Sequence, residues 1–181
     1  MKTDLLYDER SAGGIVFRIE NKKILWLIVK IKSKRSIVRV GTSIRRKPNS
    51  SNKAKYKFPK GHLNKNEFLK QAALREVEEE GGVKAEIIEK LGSRNYIIWD
   101  SIKRKKFTKK VTFFLMKYLS FSNTKHQDAE VVLAREWLPY QEAHKKLAYD
   151  SEKSLLKKAQ DRLKKNEKYQ NTTDFCSNTS I

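Results

Sequence analysis

GHLNKNEFLKQAALREVEEEGGV, residues 61–83, decides how the rest of the chain is read. Glu76, Glu78, Glu79 and Glu80 crowd into five positions of a chain whose 41 Lys and Arg outnumber its 21 Asp and Glu. They stand just before Gly81-Gly82, where a helix should stop. Carboxylates are disfavoured there, because the helix dipole is negative at its C-terminus. Acids three or four apart also repel, by about 0.3 kcal/mol per pair. Folding alone gives no reason for the cluster, so a cation is expected among these acids.

On a helix at about 100° per residue, Glu76, Glu79 and Glu80 fall within an arc of roughly 100°, and Glu78 points to the opposite side. Ala73 and Val77 flank that arc at i, i+4 spacing, which suits a face packed on a sheet. Three converging hard oxygen donors suit Mg²⁺ or Mn²⁺, which usually bridge to substrate phosphates. A solvated acidic face would interleave bases at i±4, and Arg75 is the only base nearby.

The 181 residues suit one domain with a real core; 38% are hydrophobic and 34% charged. The longest apolar run, Ile24 to Val29, falls far short of the roughly 20 residues of a membrane helix. MKTDLLYDER lacks the apolar region of a secretory leader. Cys176 stands alone, which excludes a disulfide framework and a thiolate metal site. A cytoplasmic protein without membrane contact is expected. The net charge of +20 attracts polyanions such as nucleic acid and polyphosphates, although charge by itself identifies no partner.

Outward from the quoted stretch, SAGGIVFRIE (11–20) and Ile24 to Ile31 read as strands joined by a turn at Asn21-Lys22. Residues 32–57 hold ten Lys or Arg and no acid, around a loop-like centre from Pro48 to Asn52. They read as a basic insertion, partly mobile. A helix is expected from Asn66 or Glu67 to about Glu80. Strands are expected at 83–88, 96–99, 111–119 and 130–138, with the basic IKRKKFTKK as a hairpin or loop. Residues 140 to about 167 read as mostly helical, with Leu147, Leu155, Leu156 and Leu163 as apolar points. The domain is taken as 1–168, and 169–181 as a disordered tail.

Gly61, five residues, Glu67, seven residues, Arg75-Glu76-Val77, one residue, Glu79-Glu80, one residue, Gly82-Val83: this pattern resembles the Nudix box at every specified position. Chance would supply such a match on the order of once in 10⁸ or less often at average residue frequencies. SAGGIVF resembles the family's opening strand, FPKGH its lead into the box, and REWLPYQEA its closing strand and helix. The resemblance spans roughly residues 8 to 160 apart from the insertion.

It implies an α/β fold, an α/β/α sandwich on a mixed β-sheet, here with a long basic insertion and a C-terminal helix. It also implies hydrolysis of a nucleoside diphosphate linked to another group. Glu76, Glu79 and Glu80 match the metal-binding acids, with the Gly61 carbonyl as a further ligand. Glu67 and Arg75 match positions that brace the loop and helix, and Gly82 is the box's closing glycine. A distant acid often serves as ligand or base; Glu130 is the candidate and Asp128 its competitor. Lys60 is expected at a phosphate, His62 at the substrate or a proton, and Tyr56, Tyr96 or Phe114 against a base. FPKGH is similar to dinucleoside polyphosphate hydrolases, whereas AREW is closer to diphosphoinositol polyphosphate hydrolases. Three functions follow: a Mg²⁺-dependent hydrolase of a dinucleoside polyphosphate such as diadenosine tetraphosphate; a pyrophosphohydrolase acting at RNA 5′ ends, with the insertion holding RNA; and a non-enzymatic module on RNA or ribosomes. The last usually loses box acids, and here all are present.

Overall fold

A computed structural model describes residues 9–33, 37–40, 43–46, 53–100, 105–124 and 130–166. Within it, 33, 37–40, 43–46, 98–100, 105–107 and 130 are placed by their backbone. β1 (Glu9–Glu20) turns into β2 (Lys23–Ser33) through Asn21 and Lys22, both at positive φ (48° and 59°). Two left-handed residues match the twist of a tight hairpin, and Asn tolerates that region well. The turn stands where the sequence placed it.

β1 is buried on both faces of the sheet. Ser11 to Phe17 are all buried: Ile15 and Phe17 enter one apolar cluster, Ala12 and Val16 another on the opposite face. A strand buried on both faces reads as a continuous rather than alternating apolar run, which explains SAGGIVF.

The remaining elements are β3 (Ile37–Val40), β4 (Ser43–Arg46), β5 (Lys55–Lys57), β6 (Lys60–His62), α1 (Leu69–Gly81), β7 (Val83–Asp100), β8 (Lys105–Phe121), β9 (Glu130–Leu138), α2 (Tyr140–Lys146) and α3 (Asp150–Lys165). One sheet runs β5-β2-β1-β8-β7, with β6 added to β1 and β9 to β2. β1 and β8 are parallel; the other pairs are antiparallel, so the sheet is mixed. α1 packs through Ala72, Ala73 and Val77 on the sheet face holding Val16, Leu27 and Met116. α2 and α3 cover the other face through Ala143, Leu155, Leu156, Ala159 and Leu163. This is the expected α/β/α sandwich.

Several expectations change. Residues 83–100 form one strand, because β8 pairs along it and three register shifts, at Lys84/Ala85, Ile87/Glu89 and Lys90/Gly92, absorb the mismatch. Part of IKRKKFTKK lies in β8. The insertion contains the β3–β4 hairpin and β5, while Pro48 to Asn52 lie outside the described residues. The helical stretch breaks after Lys146, where Leu147 bridges Tyr56 and the Ala148 amide donates to the Tyr56 carbonyl at 3.0 Å. Residues 169–181 also fall outside the described residues. Among those described, no helix is long and apolar enough to cross a membrane.

Candidate metal-binding and catalytic site

α1 begins at Leu69, later than expected, because the preceding residues make a turn of their own. Asn66 adopts φ 63°, Glu67 Oε2 accepts the Asn64 amide at 2.8 Å, and Gln71 Oε1 accepts the Phe68 amide at 3.0 Å. Glu67 thus closes the turn before the helix, and Gln71 satisfies the amide of the N-cap residue Phe68, which has no partner within the helix. Gly82 ends α1 at φ 67° and donates its amide to Glu78 O at 3.0 Å. A left-handed stop of this kind favours glycine.

Glu67 and Arg75 brace the segment between β6 and α1. Arg75 donates from Nε to Glu67 Oε1 at 2.9 Å and from Nη2 to Glu67 Oε2 at 3.0 Å. Nη2 also reaches the His62 carbonyl at 2.8 Å. Nη1 donates to Glu76 Oε1 at 2.7 Å and to Glu79 Oε2 at 3.2 Å. The cation expected among the acids is therefore supplied in part by the chain itself. Arg75 holds the Glu67 carboxyl below its usual range against the opposing effect of burial, and Glu67 first, then Glu76, raise the arginine further.

The acids separate as the helical arc requires. Glu76 and Glu80 are buried, at 1% and 2% exposure, and Glu79 is partly exposed. Glu80 Oε2 accepts the Lys60 amide at 2.8 Å. Glu78 faces away and accepts from Ser122 Oγ at 2.7 Å and Thr124 Oγ1 at 2.9 Å, bonds that lower its carboxyl. Gly61 lies directly on Glu76: a Cβ there would stand 2.1 Å and 2.3 Å from the two carboxylate oxygens. That strand segment and Glu76 approach so closely that only glycine fits. Among the described residues, no three Asp, Glu, His or Cys side chains stand as a ready-made metal cluster. Arg75 and the Lys60 amide engage these carboxylates instead. Two buried glutamates, a partly exposed third and an adjoining backbone still form a hard-oxygen donor set that fits a divalent cation.

The remaining candidates are distributed differently. The His62 ring is exposed, with Nε2 3.0 Å from Glu9 Oε2 and 2.9 Å from Lys109 Nζ; one nitrogen serves only one of them at a time. Its carbonyl, through Arg75, is what joins it to the site. Tyr56 donates a hydrogen bond from its hydroxyl to Glu136, which also accepts from Lys146 Nζ at 2.6 Å. Lys30 and Lys146 sit 5.6 Å and 5.2 Å from the Tyr56 ring centre. The Glu136 hydrogen bond raises the Tyr56 hydroxyl, and Lys146 first, then Tyr56, lower the Glu136 carboxyl. Phe114 is 3% exposed within the α1-side core, so it is a core residue and not a stacking surface. Tyr96 packs partly against the other cluster, its hydroxyl 3.3 Å from Ser151 Oγ. Glu130 begins β9 opposite Ser33, placed by its backbone, and Asp128 lies outside the described residues.

Two residues were missed. Arg135 donates to Glu80 O at 2.8 Å and Glu79 O at 3.2 Å, capping the last carbonyls of α1 with positive charge. No local signal in REWLP announces it. Glu152, on α3, is 1% exposed and accepts the Phe58 amide at 3.0 Å. Burial pushes its carboxyl up; Lys60, the Phe58 amide and Lys57 oppose the rise, and Glu80 adds to it. Its signal was readable: it falls at i−3 and i−4 from Leu155 and Leu156, an acid on an apolar stripe.

The NUDIX domain model matches residues 11–159, most of the chain. The chain belongs to the Nudix family. Nudix hydrolases generally use divalent metal ions. The chain is 32% identical over 110 residues to a Mycobacterium tuberculosis protein provisionally named mutator protein MutT4, covering 61% of this chain and 43% of that protein. It thus spans less than half the length of that curated relative. Among solved structures it is similar to the C. elegans Ap4A hydrolase in a binary complex (TM-score 0.56, 23% identity, 86% of this chain and 97% of that one). It is also similar to the NUDIX domain of Shewanella oneidensis NrtR in complex with ADP ribose (TM-score 0.60, 17% identity, 90% and 93%). These two likenesses concern the Nudix fold.

Proposed function

We propose that the protein is a Mg²⁺- or Mn²⁺-dependent pyrophosphohydrolase of nucleoside-diphosphate-linked substrates, with a dinucleoside polyphosphate such as diadenosine tetraphosphate as the leading candidate. The observation that supports the reading is Arg75 bonding Glu76 and Glu79, with Gly61 seated on Glu76 and Glu80 accepting the Lys60 amide next to it. FPKGH at residues 58–62 and the likeness to the C. elegans Ap4A hydrolase support the choice of substrate.

Glu76, Glu79, Glu80 and the Gly61 carbonyl would hold the metal. When bound, the ion supplies positive charge that neutralises the diphosphate and lowers the pKa of a coordinated water. The chain's own groups do the rest. Arg75 fixes the direction of Glu76 and Glu79, while the Lys60 amide and Arg135 fix Glu80 and the end of α1. A carboxylate, from Glu79, Glu80 or Glu130, takes the proton as water attacks phosphorus. Lys60, next to Gly61 on β6, would meet a phosphate. His62 and Tyr56 would exchange their present partners to touch substrate. Water attacks directly, so no covalent enzyme intermediate is needed.

A second reading, an RNA 5′-end pyrophosphohydrolase, is favoured by the β3–β4 hairpin, which places Arg39, Arg45 and Arg46 on paired strands within the basic insertion. Diphosphoinositol polyphosphates are the remaining alternative, through AREW. One panel tests all three: dinucleoside polyphosphates, nucleoside triphosphates, diphosphoinositol phosphates and 5′-triphosphorylated RNA, each assayed with Mg²⁺. Turnover of diadenosine tetraphosphate well above the others is the expected result; no turnover of any would refute the hydrolase.

A further inference from the structure

Where β5 meets β2 and the junction of α2 and α3, lysines alternate with tyrosine rings. Tyr56 lies opposite Lys30 in the sheet, and along its other edge it bridges Leu147. Lys30 and Lys146 hold their ammonium groups 5.6 Å and 5.2 Å from the centre of the Tyr56 ring. Lys55 holds its own 5.2 Å from the centre of the ring of Tyr149, the N-cap residue of α3, which is 40% exposed.

The acids of this junction are already engaged. Glu136 is held by Lys146 at 2.6 Å, and Asp150 by Lys153 at 3.1 Å. Lys30 and Lys55 pair with no carboxylate among the described residues; what each faces is a tyrosine ring. Lys30 and Lys146 approach the same ring, so their charges repel, and a lysine over a partly exposed ring gains little. The same strands lead into the basic insertion, and Lys32 near the end of β2 and Lys53 just before β5 are both exposed. Folding leaves positive charge here unbalanced, next to an open aromatic face.

A phosphate needs cations and a base needs a flat apolar face, and single-stranded nucleic acid presents both at once. A duplex hides its base faces in its own stack, and an inositol phosphate has no base to stack. We infer that this surface binds single-stranded nucleic acid: Lys30 and Lys55 take backbone phosphates, and Tyr149 stacks a base. Tyr56 is tied to Glu136 through its hydroxyl, which leaves Tyr149 as the freer ring. Such binding goes beyond the proposed hydrolysis, since the surface holds a chain that has no polyphosphate end to cleave.

A short fluorescein-labelled RNA of unpaired sequence, with a 5′ hydroxyl and in the presence of chelator, reads this surface without engaging the metal site. Fluorescence anisotropy of the full chain is followed over a range of salt concentrations, after circular dichroism confirms that each variant folds. Wild type should bind the single strand about 10-fold more tightly than the same sequence in a duplex, although the duplex carries the denser charge. Lys30→Gln combined with Lys55→Gln should weaken binding and flatten the salt slope by about 1.4, at about 0.7 for each phosphate contact on a single strand. Tyr149→Leu should weaken binding about 5-fold or more and leave the slope as it is, because stacking releases no counterions. Equal or tighter binding of the duplex, an unchanged slope in the lysine variant, or unchanged affinity in folded Tyr149→Leu each overturns the inference. If Tyr149→Leu does not fold, the lysine variant and the duplex comparison decide it. A protein that binds this RNA but hydrolyses nothing in the substrate panel sinks the proposed function and leaves the surface standing; hydrolysis without RNA binding does the reverse.

Discussion

Replacing Gly61 with Ala adds a single methyl group, and the structure says where it goes. The new carbon would lie 2.1 Å and 2.3 Å from the carboxylate oxygens of Glu76 and 2.2 Å from Cδ, more than 1 Å inside the 3.4 Å at which ordinary contact begins. The Gly61 backbone is outside the positive-φ region, so the effect is steric and not conformational. Something must move, and neither side moves freely. Glu76 is buried and tied to Arg75 at 2.7 Å, and β6 is paired with β1 on one side of Gly61 while Glu80 grips Lys60. Overpacking of this kind costs about 1–3 kcal/mol. At about 2–4 °C per kcal/mol for a chain of this size, the melting temperature should fall by roughly 2–12 °C. A displacement of about 1 Å between Gly61 and Glu76 should lower kcat about 100-fold, because catalytic groups lose alignment over such distances. Both are measured on one preparation, by calorimetry and by Mg²⁺-dependent turnover of whichever substrate the panel identifies. Adding Glu76→Asp should restore part of the melting temperature by shortening the obstructing side chain, yet leave the protein inactive. Wild-type melting and turnover in Gly61→Ala would refute the close approach and the role built on it.

Other outcomes follow from the same frame. Glu79→Gln or Glu80→Gln should lower kcat by about three orders of magnitude in a folded protein, the loss expected when a metal-holding charge goes with little change of shape; full activity in the double variant, or in excess chelator, would end the hydrolase reading. Arg75 holds the Glu67 carboxyl below its ordinary value of about 4.3, so the pair stabilises the fold above that pH and the contribution is lost as pH falls through the depressed folded value. Glu67→Gln should therefore lower the melting temperature at pH 7, with the gap to wild type closing in acid; a gap independent of pH would mean the ion pair contributes nothing. Replacing Arg45, Arg46 and Lys47 with Ser should weaken RNA binding and flatten its salt dependence by about one unit of slope for each phosphate no longer neutralised. An equal, small reduction on RNA and dinucleotide would argue for the dinucleotide as substrate.

Residues 61–83 were legible because each position announces its role by type and spacing: glycines at the close approach and at the stop, acids on one arc, and an arginine where it braces them. β1 and β2 were legible through their apolar runs and the Asn21-Lys22 turn. What stayed hidden depends on partners far along the chain. The EKLGSRN stretch, 89–95, looks like a break, and only β8 running alongside makes it a bulged strand. The break between α2 and α3 comes from Leu147 meeting Tyr56 across 91 positions of sequence, not from a proline or glycine. Arg135 and Glu152 act on α1 and on residue 58 from β9 and α3, contacts that no local window contains.

Arg75 also bears on how the protein is handled and regulated. Its guanidinium bonds Glu67, Glu76 and Glu79 at once, so part of the repulsion in the acid cluster is offset by a covalently attached cation. In small zinc-dependent domains the ligand-metal bonds supply the folding energy, and chelation unfolds the chain. Here the apolar core and an internal counter-ion do that work, and a divalent ion held by Glu76, Glu79 and Glu80 would have to displace arginine at two of the three carboxylates. Loading and folding would then be uncoupled. Stripping the metal should switch the activity off reversibly, in a protein that stays assembled and ready for the next ion.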